Sequence, residues 1–194
     1  MANISNKAIQ MPASAIRKLV PMADAAKKEG VKVYHLNLGQ PDIKSPECAL
    51  NAVKNFSQEN VSYSHSAGLM DLRKGLVEKY YKKIGIDITV DELIVTVAGS
   101  ESVNLALEIT CNPGDEVIVL EPFYTNYNTF AFMNGLTLKA IPTDIRNGFQ
   151  IPPIEEFEKA ITDKTKAILV CNPGNPTGTQ YSKESMLALG EIAR

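Results

Sequence analysis

The segment AILVCNPGNPTG, from Ala167 to Gly178, joins a short apolar run to a loop that holds two Asn-Pro pairs and two glycines. A short apolar run bounded by turn residues is typical of a strand buried on both faces of a parallel sheet. Proline restrains its own φ and the residue before it, so this loop has little backbone freedom. A rigid loop can hold the amide of Asn175 in one direction, whereas a plain turn does not need this much restraint.

The sequence before this segment repeats the same order of strand, loop and helix. Strands are predicted over 93–97, 117–120, 136–141 and 167–170, and helices over 103–110, 126–133 and 154–161. Strands that alternate with helices predict an α/β fold, with a mainly parallel sheet and helices on both faces. Ligands of such sheets bind at the carboxyl ends of the strands.

The first part of the chain is predicted to be helical, with one short strand. Helices are predicted over 16–30, 46–56 and 69–85, and a strand over 33–38. The apolar stripes over 45–56 and 69–80 are predicted to be core. Ser182 is predicted to cap a last helix, which still has no stop signal at the final residue. We therefore expect the chain to be part of a longer polypeptide.

The composition excludes several classes of protein. Hydrophobic residues make up 44% of the 194 residues, which is enough for a core and argues against intrinsic disorder. The formal net charge of −2 leaves no basic excess for nucleic acid or an anionic membrane. The polar N-terminus has no signal-peptide core, and the three cysteines lack metal or disulfide spacing. These features predict a cytoplasmic protein with reduced thiols and no metal site.

Two further loops follow predicted strands and carry candidate binding residues. Gly99, Ser100 and Glu101 open a helix, whose free N–H groups and positive dipole end suit a phosphate. Taken by itself, this loop favours plain capping of the helix. The segment from Glu121 to Tyr127 places aromatic residues at the end of a strand. Tyr124 is a candidate for stacking on a flat ring, whereas its aromatic neighbours are predicted to pack between helix and sheet.

The loop Asn172-Pro-Gly-Asn-Pro-Thr-Gly178 resembles the NPxNPTG signature of class I/II aminotransferases. These enzymes form the aspartate aminotransferase branch of the fold type I pyridoxal-phosphate enzymes. Five other segments are similar to the family's segments in the same order: Asn37-Leu-Gly-Gln-Pro-Asp42, Tyr63-Ser-His-Ser-Ala-Gly68, Thr96-Val-Ala-Gly-Ser-Glu101, Asn112-Pro-Gly-Asp-Glu116 and Glu121-Pro-Phe-Tyr-Thr-Asn-Tyr127. Ordered matches from about Pro12 to the end are far more specific than any single motif.

The resemblance implies a role in cofactor binding for six residues, of which five would act within one subunit and Tyr63 would act in the neighbouring one. The backbone N–H groups of Ser100 and Glu101, beside Gly99, would hold the phosphate of pyridoxal 5′-phosphate. The ring of Tyr124 would stack on the pyridine ring of the cofactor. Asn175 would donate a hydrogen bond to the cofactor's phenolic oxygen. The family therefore implies transfer of an amino group between an amino acid and a 2-oxo acid, as in amino acid biosynthesis.

The resemblance also implies contacts to the substrate and to a second subunit. Gly39 would help to bind the α-carboxylate of the substrate. Tyr63 would reach into the phosphate site of the neighbouring subunit of a homodimer. The chain departs from the family pattern at Gly174, where asparagine is frequent, and at Tyr124, where some members carry tryptophan. Neither change removes a group that the chemistry needs.

The family places its Schiff-base lysine, the acid that pairs with the pyridine nitrogen and the substrate-binding arginine after the point that Arg194 occupies here. Lys183 superficially resembles a Ser-Lys site, but its place in the first turn of a predicted surface helix indicates a solvated lysine. No catalytic residue is therefore expected in this chain, and the chain alone is expected to be inactive.

The family also implies a division of the chain into domains and an order of strands. Residues 1–45 would contribute to the small domain and to dimer contacts. Residues 46–194 would form the first part of the cofactor-binding large domain, cut before the Schiff-base lysine. Strands from later in the sequence would separate 93–97 from the other strands, and another later strand would insert among the rest.

Two other readings of the sequence stay open. A lyase or racemase of the same fold would keep the cofactor and break a different bond, and a non-catalytic binding domain would keep only the fold. His35 and His65 are not at metal-ligand spacing, and both are predicted to be structural. A minor ligand contact is an alternative for His65, because it lies close to Tyr63.

Overall fold

Helices come first along the chain, followed by alternating helices and strands, in a computed structural model that describes residues 3–14 and 16–194. In chain order the elements are α1 (Asn6–Gln10), α2 (Val20–Lys28), α3 (Glu47–Lys54), α4 (Met70–Leu76), α5 (Gly99–Thr110), β1 (Glu116–Glu121), α6 (Asn126–Asn134), β2 (Thr137–Pro142), α7 (Ile154–Ala160), β3 (Thr165–Leu169) and α8 (Lys183–Ile192). Among the described residues, no helix is both long enough and apolar enough to cross a membrane.

The chain divides into two compact units. One unit comprises Met1–Tyr34 together with Ser102–Arg194, and the other comprises His35–Glu101. The first unit contains the whole sheet and α6, α7 and α8, whereas the second contains α3 and α4. Helix α5 begins in the second unit and continues into the first.

The sheet has the strand order β2-β1-β3, and both neighbours of β1 run parallel to it. Val117 of β1 lies opposite Leu138 on one side and Ala167 on the other. Parallel neighbours need a crossover connection. Helix α6 follows β1 and helix α7 follows β2, which confirms the predicted alternation. The expectation that a later strand inserts among these strands is wrong, because the three are direct neighbours.

The two faces of the sheet carry separate apolar clusters, since successive side chains of a strand point in opposite directions. On one face, Val117 packs with buried residues of α5 and α6 and their flanking turns: Leu107, Cys111, Ala131 and Leu136. On the other face, Ile118 and Leu120 pack with Ile141, with Phe157 of α7 and with Leu189 of α8. Helices therefore cover both faces, which confirms the predicted α/β architecture.

Local sequence signals account for how two of these helices begin and end. Gly135 ends α6 with a φ of 69° in the left-handed region, a conformation that costs glycine little. The Ser182 side chain accepts a hydrogen bond of 3.1 Å from the backbone N–H of Ser185 and so caps α8, as predicted. Helix α6 packs on one face of the sheet through Ala131, and α8 packs on the other face through Leu189.

The predicted strands over 33–38 and 93–97 are not formed in the described part of the chain. Apolar alternation shows that a segment can be a strand, but a strand exists only where another edge supplies its hydrogen bonds. The backbone N–H of Val95 donates to the Ala67 carbonyl at 3.0 Å, a single contact with a loop. These two predictions are wrong for the described structure.

Position 68, in the second unit, requires a glycine for two reasons. Its φ is 96°, and a Cβ atom placed on it would lie 2.6 Å from the Cβ of Val95. Any other residue there would combine backbone strain with a steric clash. The glycine at the end of the Tyr63–Gly68 segment therefore allows the close approach to the chain around Val95.

The apolar stripes of the second unit are exposed, so the prediction that they are core is wrong for the described structure. Leu50, Val53 and Phe56 at α3 are 47%, 78% and 59% exposed, and Leu72 on α4 is 47% exposed. An amphipathic pattern identifies a face that can be buried, but it does not supply the surface that buries it. Arg73 is instead the buried residue of α4, where its Nη1 donates to the Val90 carbonyl at 2.8 Å.

Candidate functional site

The loops that follow β1 and β3 meet at one edge of the sheet. They line a shared cleft of about 10 Å³, whose walls include Pro122 and Phe123 from one loop and Cys171, Gly174 and Asn175 from the other. The two strands are parallel neighbours, so their carboxyl ends lie side by side. The cleft has room for about one water molecule, so the two loops pack closely against each other.

Hydrogen bonds within the loop from Asn172 to Gly178 and to its neighbours hold it in place. The backbone N–H of Gly174 donates to the Thr179 carbonyl, and that of Gly178 donates to the Gly174 carbonyl, both at 2.8 Å. The Asn172 side-chain oxygen accepts from the backbone N–H of Tyr181 at 3.1 Å. These bonds add to the restraint from the prolines and confirm that the loop is more than a plain turn.

The side chain of Asn175 is exposed at the tip of this loop and forms no hydrogen bond within residues 3–14 and 16–194. An amide group carries two N–H donors and one acceptor oxygen. A rigid backbone that carries such a free amide is suited to donate to a ligand atom without first giving up another partner.

Tyr124 lies half-buried in the loop after β1 and is held at two points. Its ring meets the ring of Tyr127 edge-on, with centroids 5.5 Å apart and an interplanar angle of 89°. Its hydroxyl oxygen accepts a hydrogen bond of 2.6 Å from the side-chain amide of Asn126. Phe123 stacks on Tyr127 with centroids 6.2 Å apart, and Tyr127 is buried as predicted.

The residues predicted to bind phosphate lie at the start of α5 and belong to the other unit. Gly99, Ser100 and Glu101 are all exposed, and a Cβ atom on Gly99 would meet nothing within 4 Å. The Glu101 N–H donates to the Ala98 carbonyl at 3.0 Å, and the Glu101 carboxylate accepts from the backbone N–H of Val97 at 2.6 Å. The convergence of this helix start with Tyr124 and Asn175 stays a prediction.

The remaining candidate residues are placed as follows. Gly39 is exposed, and the Tyr63 side chain is fully exposed. Lys183 is the exposed first residue of α8, in agreement with a solvated lysine. The Nδ1 atom of His65 accepts from the backbone N–H of Ala67 at 3.1 Å, which confirms a structural contact for this histidine. Their roles toward substrate or partner stay predictions.

Two residues that shape this edge of the sheet are not marked by any sequence motif. Cys171 lines the cleft, and its thiol donates to the Pro173 carbonyl at 3.3 Å. Asn126 holds the Tyr124 hydroxyl. No spacing rule marks either residue, because both act through side-chain contacts that depend on where the loops lie.

Burial of the Tyr127 ring raises the pKa of its hydroxyl to about 12 from 10.0. The neighbouring thiol of Cys171 is the second contribution to this rise. Desolvation and a nearby group that becomes negative both oppose the charged form of a phenol. Tyr127 therefore stays neutral at physiological pH and serves as an uncharged packing surface for its aromatic neighbours.

Replacing Tyr127 by phenylalanine should reduce the loss of stability in alkali. Below pH 10 the hydroxyl is protonated in both states, whereas between pH 10 and about 12 the unfolded state releases its proton first, so the free energy of unfolding falls. The Tyr127→Phe variant lacks this proton and should lose less stability over that range. Urea unfolding of both proteins at pH 7 and at rising alkaline pH measures the difference, and parallel curves would show that the hydroxyl does not contribute.

Comparison with known proteins extends these observations. The family model described as aminotransferase class I and II matches residues 31–194. The probable aspartate/prephenate aminotransferase of Thermus aquaticus is 34% identical over 194 residues, which is 100% of this chain and 50% of that protein. The aspartate aminotransferase of Thermotoga maritima is 32% identical over 192 residues, which is 98% of this chain and 51% of that protein.

Solved structures agree with the sequence relatives. A single mutant of Thermus thermophilus aspartate aminotransferase matches with a TM-score of 0.91 at 34% identity, over 100% of this chain and 50% of that one. Alanine aminotransferase from Pyrococcus furiosus matches with a TM-score of 0.88 at 36% identity, over 98% and 49% of the two chains. The chain therefore spans about half the length of the relatives it matches. Since the family model covers most of its residues, the chain belongs to the class I and II aminotransferase family.

Proposed function

We propose that the full-length protein is a pyridoxal-phosphate-dependent aminotransferase that transfers an amino group between an amino acid and a 2-oxo acid. The observation that carries the proposal is the rigid loop after β3, which presents the free amide of Asn175 beside the aromatic loop after β1. Relatives named for aspartate, prephenate and alanine support amino group transfer. Their different names leave the amino acid open.

Three features of the described residues support the proposed cofactor, each considered within its own unit of the chain. Gly99 begins a helix of 12 residues with open space beside it, and the positive dipole end of a helix favours a phosphate. Tyr124 offers a ring held by two neighbours, and Asn175 offers a free donor. When bound, pyridoxal phosphate supplies the electron sink for breaking a bond at the substrate Cα.

The residues of this chain would divide the work as follows. The amides of Ser100 and Glu101 anchor the phosphate, which requires that the Glu101 N–H is shared with or released from the Ala98 carbonyl. The ring of Tyr124 fixes the plane of the cofactor by stacking on it. Asn175 stabilises negative charge on the phenolic oxygen with a donor that needs no reorganisation.

Gly39 and Tyr63, which lie in neither the loop after β1 nor the loop after β3, also have proposed roles. Gly39 would bind the α-carboxylate of the substrate. The exposed Tyr63 would reach the phosphate site of a second copy in a cytoplasmic homodimer. The lysine that forms the Schiff base would lie in the half of the protein that follows Arg194, together with the rest of the large domain that begins near residue 46.

Spectroscopy on the full-length protein with pyridoxal phosphate tests the proposal. We expect a visible absorption band that shifts when an amino acid is added, and a new amino acid formed from an added 2-oxo acid. Absence of this band would contradict the proposal that the protein is a pyridoxal-phosphate-dependent aminotransferase. A band accompanied by a racemised or cleaved product, without amino transfer, would instead identify a racemase or lyase.

A further inference from the structure

We propose that Asn126 is a positioning residue, which holds the ring of Tyr124 in the orientation that stacks on the cofactor. This inference rests on the proposed function, because it assigns the ring of Tyr124 to cofactor binding. Asn126 acts through the Tyr124 hydroxyl and not by touching the cofactor itself.

The contact between the two residues is short and well placed. The side-chain nitrogen of Asn126 donates to the Tyr124 hydroxyl oxygen at 2.6 Å, and both side chains are partly buried. Asn126 is the first residue of α6, so its backbone is fixed by the helix. Tyr124 lies in the preceding loop, where the backbone alone leaves the ring free to rotate about two side-chain torsions.

The two contacts of Tyr124 hold different parts of its ring. Tyr127 abuts the ring edge-on, with centroids 5.5 Å apart, which restrains one side. Asn126 holds the hydroxyl at the far end of the ring. Because this oxygen lies on the axis of the second side-chain torsion, the bond restrains rotation about the first torsion, which would displace the hydroxyl most. Among the hydrogen bonds formed within residues 3–14 and 16–194, this is the one that reaches the Tyr124 hydroxyl.

The orientation of an aromatic ring matters because stacking depends on the angle between the two ring planes. If the ring becomes oriented only when the cofactor binds, its loss of conformational entropy offsets part of the favourable stacking energy. A single neutral hydrogen bond shifts such an equilibrium by roughly 2- to 10-fold. Loss of the Asn126 amide should therefore weaken binding of pyridoxal phosphate by roughly that factor.

A double-mutant cycle on the full-length protein tests this inference. The variants are Asn126→Ala, Tyr124→Phe and the two combined, and the probe is pyridoxal phosphate. Its dissociation constant is measured together with the visible circular dichroism of the bound cofactor, which reports how the surrounding rings are oriented. Asn128→Ala is the matched control, since Asn128 is exposed on the same helix and its side chain bonds to the Thr125 carbonyl.

We expect Asn126→Ala to weaken binding and reduce the circular dichroism when Tyr124 is present, and to change neither in the Tyr124→Phe background. Asn128→Ala should match the unsubstituted protein. Asn126→Ser, which keeps a polar side chain but is shorter than asparagine, should repeat the alanine result.

Three results would overturn the inference. An equal loss in both backgrounds would show that Asn126 acts through the fold and not through the hydroxyl. Unchanged binding in Asn126→Ala would show that the ring needs no support. Failure of the unsubstituted protein to bind pyridoxal phosphate would overturn the proposed function and this inference together, whereas the first two results leave the proposed function standing.

Discussion

We expect replacement of Phe157 by alanine to lower the free energy of unfolding by roughly 3–5 kcal/mol. Phe157 is fully buried on α7, where it packs against Ile118 and Leu120 of the central strand and against Leu189 of α8. Truncation removes the largest of the fully buried side chains in the described part of the chain and leaves a cavity between the sheet and two helices. Close-packed interiors relax only partly around such a cavity.

Urea unfolding measures this loss, with two variants as controls. Phe157→Leu keeps most of the apolar volume and should lose considerably less stability. Ile145→Ala removes an apolar side chain that is 73% exposed and should change the free energy of unfolding by less than about 0.5 kcal/mol. If Phe157→Ala lost no more than Ile145→Ala, the cluster on this face of the sheet would not be the core that the structure shows.

The second large effect concerns activity. Asn175→Ala in the full-length protein should reduce kcat/KM for amino transfer by roughly 100-fold, in the range found when one preorganised donor to a developing negative charge is removed. The Asn175 side chain is exposed and makes no hydrogen bond within the described residues, so its loss should change stability little. The effect should therefore be confined to the cofactor and its chemistry.

Steady-state kinetics and cofactor binding, measured beside thermal unfolding, test this expectation. Asn175→Asp keeps the shape of the side chain but lacks the N–H donor, so it should lose at least as much activity as the alanine variant. Gln180→Ala is the matched control, because Gln180 is an exposed amide five residues further along. Equal activity in Asn175→Ala and Gln180→Ala would show that Asn175 does not support the reaction.

Sequence patterns predicted β1, β2, β3 and the helices between them because each of these segments finds its partners within one unit. Apolar runs such as 117–120 become strands when neighbouring edges supply their hydrogen bonds. The run over 93–97 carries the same signal and forms no strand, since its pattern says nothing about whether an edge is available. The stripe of α3 is exposed for the same reason, as no described surface covers it.

Much of the candidate site was also predictable, because its residues are marked by backbone chemistry. The prolines and glycines of 172–178 predict a restrained loop. The resemblance to a family predicts that Tyr124 and Asn175 bind the cofactor. The contacts that support these residues were not predictable. Whether Asn126 reaches the Tyr124 hydroxyl depends on a rotamer and on where α6 begins, and neither is encoded in the spacing.

The order of residues by itself determined the strand and helix periods, the rigid loop at 172–178 and the membership of a family. These properties are decided by neighbours a few positions apart, through backbone sterics and the alternation of apolar side chains. Only the tertiary structure decided that β1 lies between β2 and β3, that Phe157 is fully buried and that Cys171 lies against Tyr127. Such contacts join residues far apart in the chain, and they depend on the packing of the whole sheet and its helices.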